Sequence, residues 1–207
     1  MHFSNVDTSE ELPVMEHFYT IQGEGYFAGK SAYFIRLAGC DVGCVWCDVK
    51  ESWDVEAHPI LKIDSLLREI NLVNANFVVI TGGEPALYNL STLINKLKKS
   101  GIRTAIETSG CYKLLGDIDW YCFSPKKFKS PCEDAFKRAN ELKVIIYNES
   151  DFKWAEEHAH QVNEDCILFL QPEWGRQDRM LPAIIEYVKS NPKWRISLQT
   201  HKFMNIP

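Results

Sequence analysis

The sequence predicts an α/β fold, a partial (β/α) barrel with mostly parallel strands. Three observations point there. Short apolar runs alternate with amphipathic, helix-like stretches, as in a parallel sheet whose strands are connected by helices. Nearly every run ends in polar or loop-forming residues, and in parallel folds such ends gather on one rim. Seven runs at most belong to the parallel series, too few for a closed eight-unit barrel, so an incomplete, open barrel suits the 207 residues.

The series begins with Tyr33-Phe34-Ile35-Arg36-Leu37, and Val14 to Thr20 offers an additional strand before it. Then come Phe77 to Thr81, Arg103 to Glu107, Trp120 to Ser124, Lys143 to Tyr147, Ile167 to Gln171 and Arg195 to Gln199. All are short and rich in β-branched and aromatic residues; length, more than periodicity, separates them from buried helix fragments. Asp64 can cap a helix that places Leu67, Ile70 and Val73 on one face. Leu90, Leu93, Ile94 and Leu97 follow helical spacing, with Gly101 where such a helix would stop. Trp154 to Val162 and Leu181 to Val188 are two further helix candidates.

No repeat, low-complexity tract or Pro/Gly-rich linker divides the chain, which reads as one domain over residues 1–207. Hydrophobic residues make up 45% and charged residues 25%, ordinary values that exclude a disordered, collagen-like or coiled-coil protein. The net charge of -5 is the wrong sign for a nucleic-acid binder working mainly through charge. No apolar run approaches the roughly 18–20 residues that cross a bilayer. Met1 to Met15 is polar and acidic, unlike a secretory signal, which points to the cytoplasm.

Seven cysteines are an odd number for a disulfide scaffold. Cys111, Cys122, Cys132 and Cys166 are scattered singly, but Cys40, Cys44 and Cys47 form C-x3-C-x2-C within Gly39 to Asp48. Three thiolates on one short loop can converge on one metal centre. A four-iron cluster normally takes four protein ligands, so three leave one iron open to substrate or cofactor. Gly39 and Gly43 suit a loop wrapped closely around a ligand. Zinc with a fourth ligand such as His58 or Cys111 is the competing reading, although no second C-x2-C pair exists. Three uninvolved buried cysteines are the remaining one.

C-x3-C-x2-C with an aromatic before the last cysteine resembles the signature of radical S-adenosylmethionine enzymes. Thr81-Gly82-Gly83-Glu84-Pro85 resembles the glycine-rich motif of that superfamily, whose fold is a partial (β/α) barrel. A narrower resemblance, to the 7-carboxy-7-deazaguanine synthases, runs from about Glu16 to Pro207. It rests on Phe18 to Gly25, Phe34 to Cys40, Trp46-Cys47-Asp48, Ser124-Pro125-Lys126, Gln171-Pro172 and Gln199 to Lys202. That family contracts the ring of 6-carboxy-5,6,7,8-tetrahydropterin with release of ammonia, towards modified tRNA bases such as queuosine.

The resemblance implies a [4Fe–4S] cluster on Cys40, Cys44 and Cys47, with S-adenosylmethionine on the open iron. Electron transfer to that cofactor yields a radical that takes a hydrogen from the substrate and later recovers one. The resemblance implies cofactor contacts at Trp46, Cys47, Asp48, Gly83, Ser124, Pro125, Lys126 and Gln171; Glu84 can accept from an ammonium. It implies substrate contacts at Ile21, Gln22, Gly23, Glu24, Arg36, Thr81, His201 and Pro207. Arg36 would pair with the substrate carboxylate, and Glu24 would face the guanidine-like edge of the pterin. Taken alone, Arg36 is equally a strand-end salt bridge, Glu24 a solvated loop acid and His201 a surface residue. Family members often carry a hydroxyl residue two places after the third cysteine to help hold Mg²⁺. Here that place is Val49, which leaves Asp48, Glu51, substrate oxygens or water as donors.

Cys122 and Cys166 read as core residues, with no auxiliary cluster expected, and Trp53, Trp154 and Trp194 as packing groups. The implied partners are the pterin, an electron donor such as flavodoxin, and a second copy in a homodimer; no nucleic acid or membrane is expected. The alternative inside the superfamily is a glycyl-radical activating enzyme acting on a protein. Outside it, the alternative is a zinc-stabilised binding module.

Overall fold

The structure, a computed structural model, describes residues 10–207. The reading of the first residues as no secretory signal falls largely outside them; Met15 lies within a strand. One nine-stranded sheet runs in the order β3-β1-β2-β4-β5-β6-β7-β8-β9. Its strands are β1 (Glu11–Ile21), β2 (Ser31–Leu37), β3 (Ile60–Lys62), β4 (Phe77–Gly82), β5 (Arg103–Thr108), β6 (Trp120–Phe123), β7 (Glu141–Ile146), β8 (Ile167–Pro172) and β9 (Trp194–Ile196). From β2 onward the pairings are parallel, which makes seven parallel strands. β1 joins antiparallel to β2, and β3 antiparallel to β1. β3 and β9 form the two edges, so the barrel is partial and unclosed. The expected fold class is the one observed; β3 had no sequence signal beyond Ile60 and Leu61.

Helices α1 (Ile63–Leu72), α2 (Ser91–Lys99), α3 (Glu133–Arg138), α4 (Ser150–Ala159), α5 (Gln177–Ser190) and α6 (Thr200–Met204) complete the fold. Period-two alternation along the strands decides which side chains meet the helices. Ile35, Leu37, Val78, Ile80, Ile106, Phe123, Leu142, Val144 and Leu170 pack with Ile70 of α1, Leu93 and Leu97 of α2, and Ile184 of α5. The opposite parity gives a smaller cluster of Ala32, Phe34, Phe77, Val79 and Ala105. Each fully buried large side chain contributes roughly 1.5–3 kcal/mol, so the helix-facing core dominates stability. The smaller inner face leaves room at one end.

Some boundaries differ from the sequence reading. α1 starts at Ile63, with Lys62 at the cap position and no side-chain cap. Asp64 lies in the first turn, where it accepts from Lys96 Nζ at 2.7 Å. The buried face is therefore Ile63, Leu66 and Ile70, and Val73 at the helix end is exposed. α4 covers Ser150–Ala159, four residues upstream of the expected start and three short of the expected end. α5 begins in a polar turn that hydrophobic spacing does not reveal, and it carries Pro182. α2 ends as expected, with Gly101 at φ +72°. Trp194 is buried, as expected of a packing group, and Trp154 packs against the same core; Trp53 instead lines the cavity described next.

Candidate active site

On the inner face, polar side chains stand at the C-terminal ends of the strands. Phe34 is followed by Arg36, Val79 by Thr81, Ala105 by Glu107, Cys122 by Ser124, Glu141 by Lys143, and Phe169 by Gln171. The later member of each pair lines one cavity of about 250 Å³ at the barrel mouth. The cysteine loop follows β2 and opens into that cavity, where Cys40, Cys44 and Cys47 all contribute to the wall.

Backbone contacts set this loop. Gly83 N–H donates to Leu37 O at 2.9 Å, Glu84 N–H to Gly39 O at 2.8 Å, and Gly39 N–H to Ser52 O at 2.6 Å. Gly39 has φ +96°, and a Cβ on Gly83 would stand 2.2 Å from Gly39 O and 3.0 Å from Cys40 Cβ. The glycine pair after β4 therefore lets that strand's exit pass directly against the cysteine loop.

The three thiols are free. Burial, reinforced by Glu84 and Cys47 at Cys40 and by Cys47 and Cys40 at Cys44, pushes both thiols up to about 11. Such thiols become thiolates only with a strong cation beside them, which an iron–sulfur core supplies. Three thiols on one wall fit the cluster. The zinc reading needs a fourth ligand beside these three thiols, and both of its candidates are engaged elsewhere. His58 Nε2 instead contacts Glu51 O at 2.7 Å, and Cys111 Sγ donates to Lys129 O at 3.3 Å.

Of the residues expected at the cofactor, Trp46, Cys47, Asp48, Gly83, Ser124, Lys126 and Gln171 line the cavity. Pro125 is buried and does not. Lys126 Nζ donates to Ser124 O at 2.8 Å and Ser124 Oγ at 2.6 Å, and burial holds its pKa below the ordinary lysine value. Gln171 Oε1 accepts from Ser197 Oγ at 2.6 Å. Glu84 also faces the cavity, but both its oxygens are engaged by the protein. Oε1 accepts from Ala86 N–H at 3.0 Å and from Thr108 Oγ1, and Oε2 accepts from Ser109 N–H at 2.8 Å and from Ser109 Oγ. It braces the β4 and β5 exits, and an ammonium would have to share these oxygens.

The residues expected at the substrate, Ile21, Gln22, Gly23, Glu24, Arg36, Thr81, His201 and Pro207, all line the same cavity. Three that hydrophobic patterning passed over join them: Glu107, Lys143 and Gln199. Lys143 is buried and donates to Glu24 Oε2 at 2.5 Å and Glu107 Oε2 at 3.2 Å. Gln22 Nε2 donates to Glu107 Oε1 at 2.9 Å, and Gln199 Nε2 to Glu24 Oε1 at 2.9 Å. Burial alone would raise the Glu24 pKa, but the Lys143 ammonium and two hydrogen bonds outweigh it and hold the carboxyl near about 2. Lys143 itself is held well above the ordinary value, because the carboxylates outweigh its burial. The detectable signal was a lysine inside an apolar strand, which needs buried partners.

Arg36 Nε donates to Glu16 Oε1 at 2.6 Å, so the strand-end salt bridge exists. Its terminal amino groups make no other hydrogen bond among the described residues, and the side chain still lines the cavity. Thr200 N–H and Oγ1 both donate to Gly23 O at 3.0 Å, which seats α6 and His201 over the loop after β1. Burial draws the His201 pKa down.

Comparisons with known proteins show the family. Residues 34–148 match the model of the Radical SAM superfamily. The 7-carboxy-7-deazaguanine synthase of Flavobacterium psychrophilum is 54% identical over 202 residues, covering 98% of this chain and 96% of that protein. The Escherichia coli K12 protein of that name is 34% identical, over 95% of this chain and 99% of its own. The crystal structure of QueE from Escherichia coli superposes with a TM-score of 0.83 at 32% identity, covering 91% of this chain and 93% of the other. A three-cysteine wall at the mouth of an unclosed barrel, the Lys143-centred polar floor and these relatives together place the chain in the radical S-adenosylmethionine superfamily, as a member of the 7-carboxy-7-deazaguanine synthase family.

Proposed function

We propose that this chain, working as one domain over residues 1–207, converts 6-carboxy-5,6,7,8-tetrahydropterin to 7-carboxy-7-deazaguanine and releases ammonia, in queuosine and 7-deazapurine biosynthesis. The observation that carries this reading is one cavity with two chemically distinct walls: three thiols on one side, and Glu24, Glu107 and Lys143 on the other. When bound, the cluster and S-adenosylmethionine supply one-electron and hydrogen-atom-transfer chemistry. Cys40, Cys44 and Cys47 would hold the cluster; Trp46, Asp48, Gly83, Ser124, Lys126 and Gln171 would surround the cofactor, with Pro125 shaping the turn behind Lys126.

The chain's own task is binding, orientation and exclusion of water. Glu24, which Lys143 keeps ionised, offers carboxylate oxygens to the N–H donors of the pterin edge, and Glu107 lies beside it on the same wall. The unengaged end of the Arg36 guanidinium suits the substrate carboxylate. Ile21, Gln22, Gly23, Thr81, His201 and Pro207 close the wall around the ring. Residues 22–24, Arg36 and His201 on one wall suit a small acidic substrate, which disfavours a glycyl-radical activating role.

Mg²⁺ does not fit at position 49. Val49 lines the cavity without a side-chain oxygen, and Glu51 is not on the wall. Asp48 Oδ2 accepts from Lys202 Nζ at 3.0 Å and Gln199 Nε2 at 3.4 Å, and Oδ1 is the one side-chain oxygen beside Val49 without such a partner among the described residues. No step here depends on that ion. The reading places the enzyme in the cytoplasm, where thiols stay reduced, with a one-electron donor such as flavodoxin and as a homodimer. Among the described residues no helix is long and apolar enough to cross a membrane. Incubation of the anaerobic, reconstituted protein with S-adenosylmethionine, reductant and the carboxy-tetrahydropterin is the direct test. Formation of the deazaguanine acid is the expected result; cofactor cleavage without that product would defeat the proposal.

A further inference from the structure

Glu141 is a buried carboxylate at the start of β7, two residues before Lys143 on the same face of the strand. It forms no ion pair within 4 Å among the described residues, an expensive state for a charged group. Burial accordingly pushes its pKa up. Its oxygens are nevertheless committed. Oε2 accepts from Tyr26 N–H at 3.2 Å and from Trp120 Nε1–H at 3.1 Å, and Oε1 accepts from Cys122 Sγ at 3.6 Å. The space beside it is about 10 Å³, at the threshold for a single water, so no substrate atom reaches it.

Two of these contacts bear on the turn that follows Glu24: the Tyr26 amide belongs to it, and Trp120 packs on it. Gly25 has φ +63°, and a Cβ there would fall 2.0 Å from Glu141 Oε1. The Tyr26 ring stacks on Trp120 at 4.7 Å, and Phe27 meets Trp120 edge-on at 4.9 Å. From the side, Gly25 N–H donates to Ser197 Oγ at 2.9 Å. The turn is thus fixed from below and from one side, and its position decides whether the Glu24 carboxylate arrives between Lys143 and Gln199.

We infer that Glu141 is a positioning residue for substrate binding, holding the Glu24–Phe27 turn in register with the pterin pocket by accepting from Tyr26 and Trp120. Substrate specificity in this chain then depends on a carboxylate that never touches substrate. The inference rests on the pterin reading for its kinetic consequence, but not for its structural one.

The test uses the full-length holoenzyme as wild type, Glu141→Leu, Glu141→Gln and Gly25→Ala. Hydrogen exchange of the amides of residues 22–27 needs no turnover. Glu141→Leu is expected to speed it about tenfold and to raise KM for the carboxy-tetrahydropterin about tenfold, the size of a lost charge-assisted hydrogen bond. S-adenosylmethionine cleavage and kcat stay near wild type. Glu141→Gln retains an oxygen acceptor and restores both readouts, whereas Gly25→Ala pushes the turn from the other side and reproduces the Leu phenotype. Unchanged exchange and KM in Glu141→Leu would overturn the inference, as would equal loss in Gln and Leu. If Glu141→Leu does not fold, Trp120→Phe removes one of the two donors, with smaller shifts expected in the same two readouts and no shift counting against the inference. Faster exchange in the variants, with no pterin turnover by wild type, would support the positioning role and reject the substrate.

Discussion

Lys143 Nζ meets Glu24 Oε2 at 2.5 Å and so joins strand β7 to the turn after β1 across the barrel mouth. The same ammonium reaches Glu107 Oε2 at 3.2 Å on β5. One buried cation therefore holds three separate segments of chain. Replacing it with an isosteric apolar group leaves two carboxylates without their counter-charge. Lys143→Met is expected to lose about 3–5 kcal/mol of unfolding free energy, the usual result of breaking a buried pair from one side. Urea denaturation measures it; a loss under about 1 kcal/mol would show that water already screens the pair.

The same pair gives a pH dependence with a definite sign. Glu24 titrates near about 2 in the folded protein against an ordinary value of 4.5. Its contribution is therefore complete above about 4.5 and disappears as pH falls towards about 2. Lys143 is shifted the other way, so its contribution is complete below the ordinary lysine value and fades only at still higher pH. The stability gap between wild type and Glu24→Gln is expected to be widest at neutral pH and to close on acidification below 4.5. Denaturant midpoints collected across that range provide the check, and a gap constant down to pH 2 would contradict it.

The parallel series was legible because runs such as Phe77 to Thr81 combine hydrophobicity, length and a polar exit. The cysteine wall was legible because its spacing is local. The Lys143 floor was harder: Glu107, Lys143 and Gln199 lie on three strands or strand extensions, and nothing in any one segment links them. The polar member of each inward-facing pair, Glu107 after Ala105 or Gln171 after Phe169, was the available sign. α3 and α6 escaped because five or six residues carry too little periodicity to detect. Asp64 has the right chemistry for a cap but is the second residue of α1, two places after the cap position at Lys62, so a helix phased on it shifts the buried face.

Gly83 is expected to act through backbone clearance. Its Cβ would meet Gly39 O at 2.2 Å, in the loop that carries Cys40. Gly83→Ala should fold but reconstitute little iron and sulfide, much as Cys44→Ala should, with cofactor cleavage lost in both. Iron and sulfide analysis after anaerobic reconstitution distinguishes the outcomes. Full cluster loading in Gly83→Ala would mean that the loop shifts freely.

Arg36 has one nitrogen on Glu16 and its other end towards the cavity. Arg36→Ala is expected to raise KM for the carboxylated pterin by roughly 10–100-fold, the scale of a lost bidentate ion contact. Reductive cleavage of S-adenosylmethionine should survive. Glu16→Gln breaks only the salt bridge and should leave KM within about threefold, because an exposed pair contributes little. Equal effects from the two substitutions would make Arg36 a structural residue.

Val49 separates this chain from the hydroxyl-bearing pattern its relatives' resemblance implies, and it does so on the cavity wall itself. Mg²⁺ prefers near-octahedral oxygen ligands and keeps several waters, so a valine side chain contributes nothing to holding it. Turnover of the wild-type chain is expected to be the same with saturating chelator as with added Mg²⁺. Val49→Thr restores an oxygen at the same place with almost unchanged volume, and its KM for the pterin should fall when Mg²⁺ is supplied. Steady-state kinetics in metal-stripped buffer, with Mg²⁺ titrated back, gives both numbers. A wild-type enzyme that stops on chelation would mean that Asp48 Oδ1, the oxygen not bonded to Lys202 and Gln199, binds the ion together with substrate oxygens.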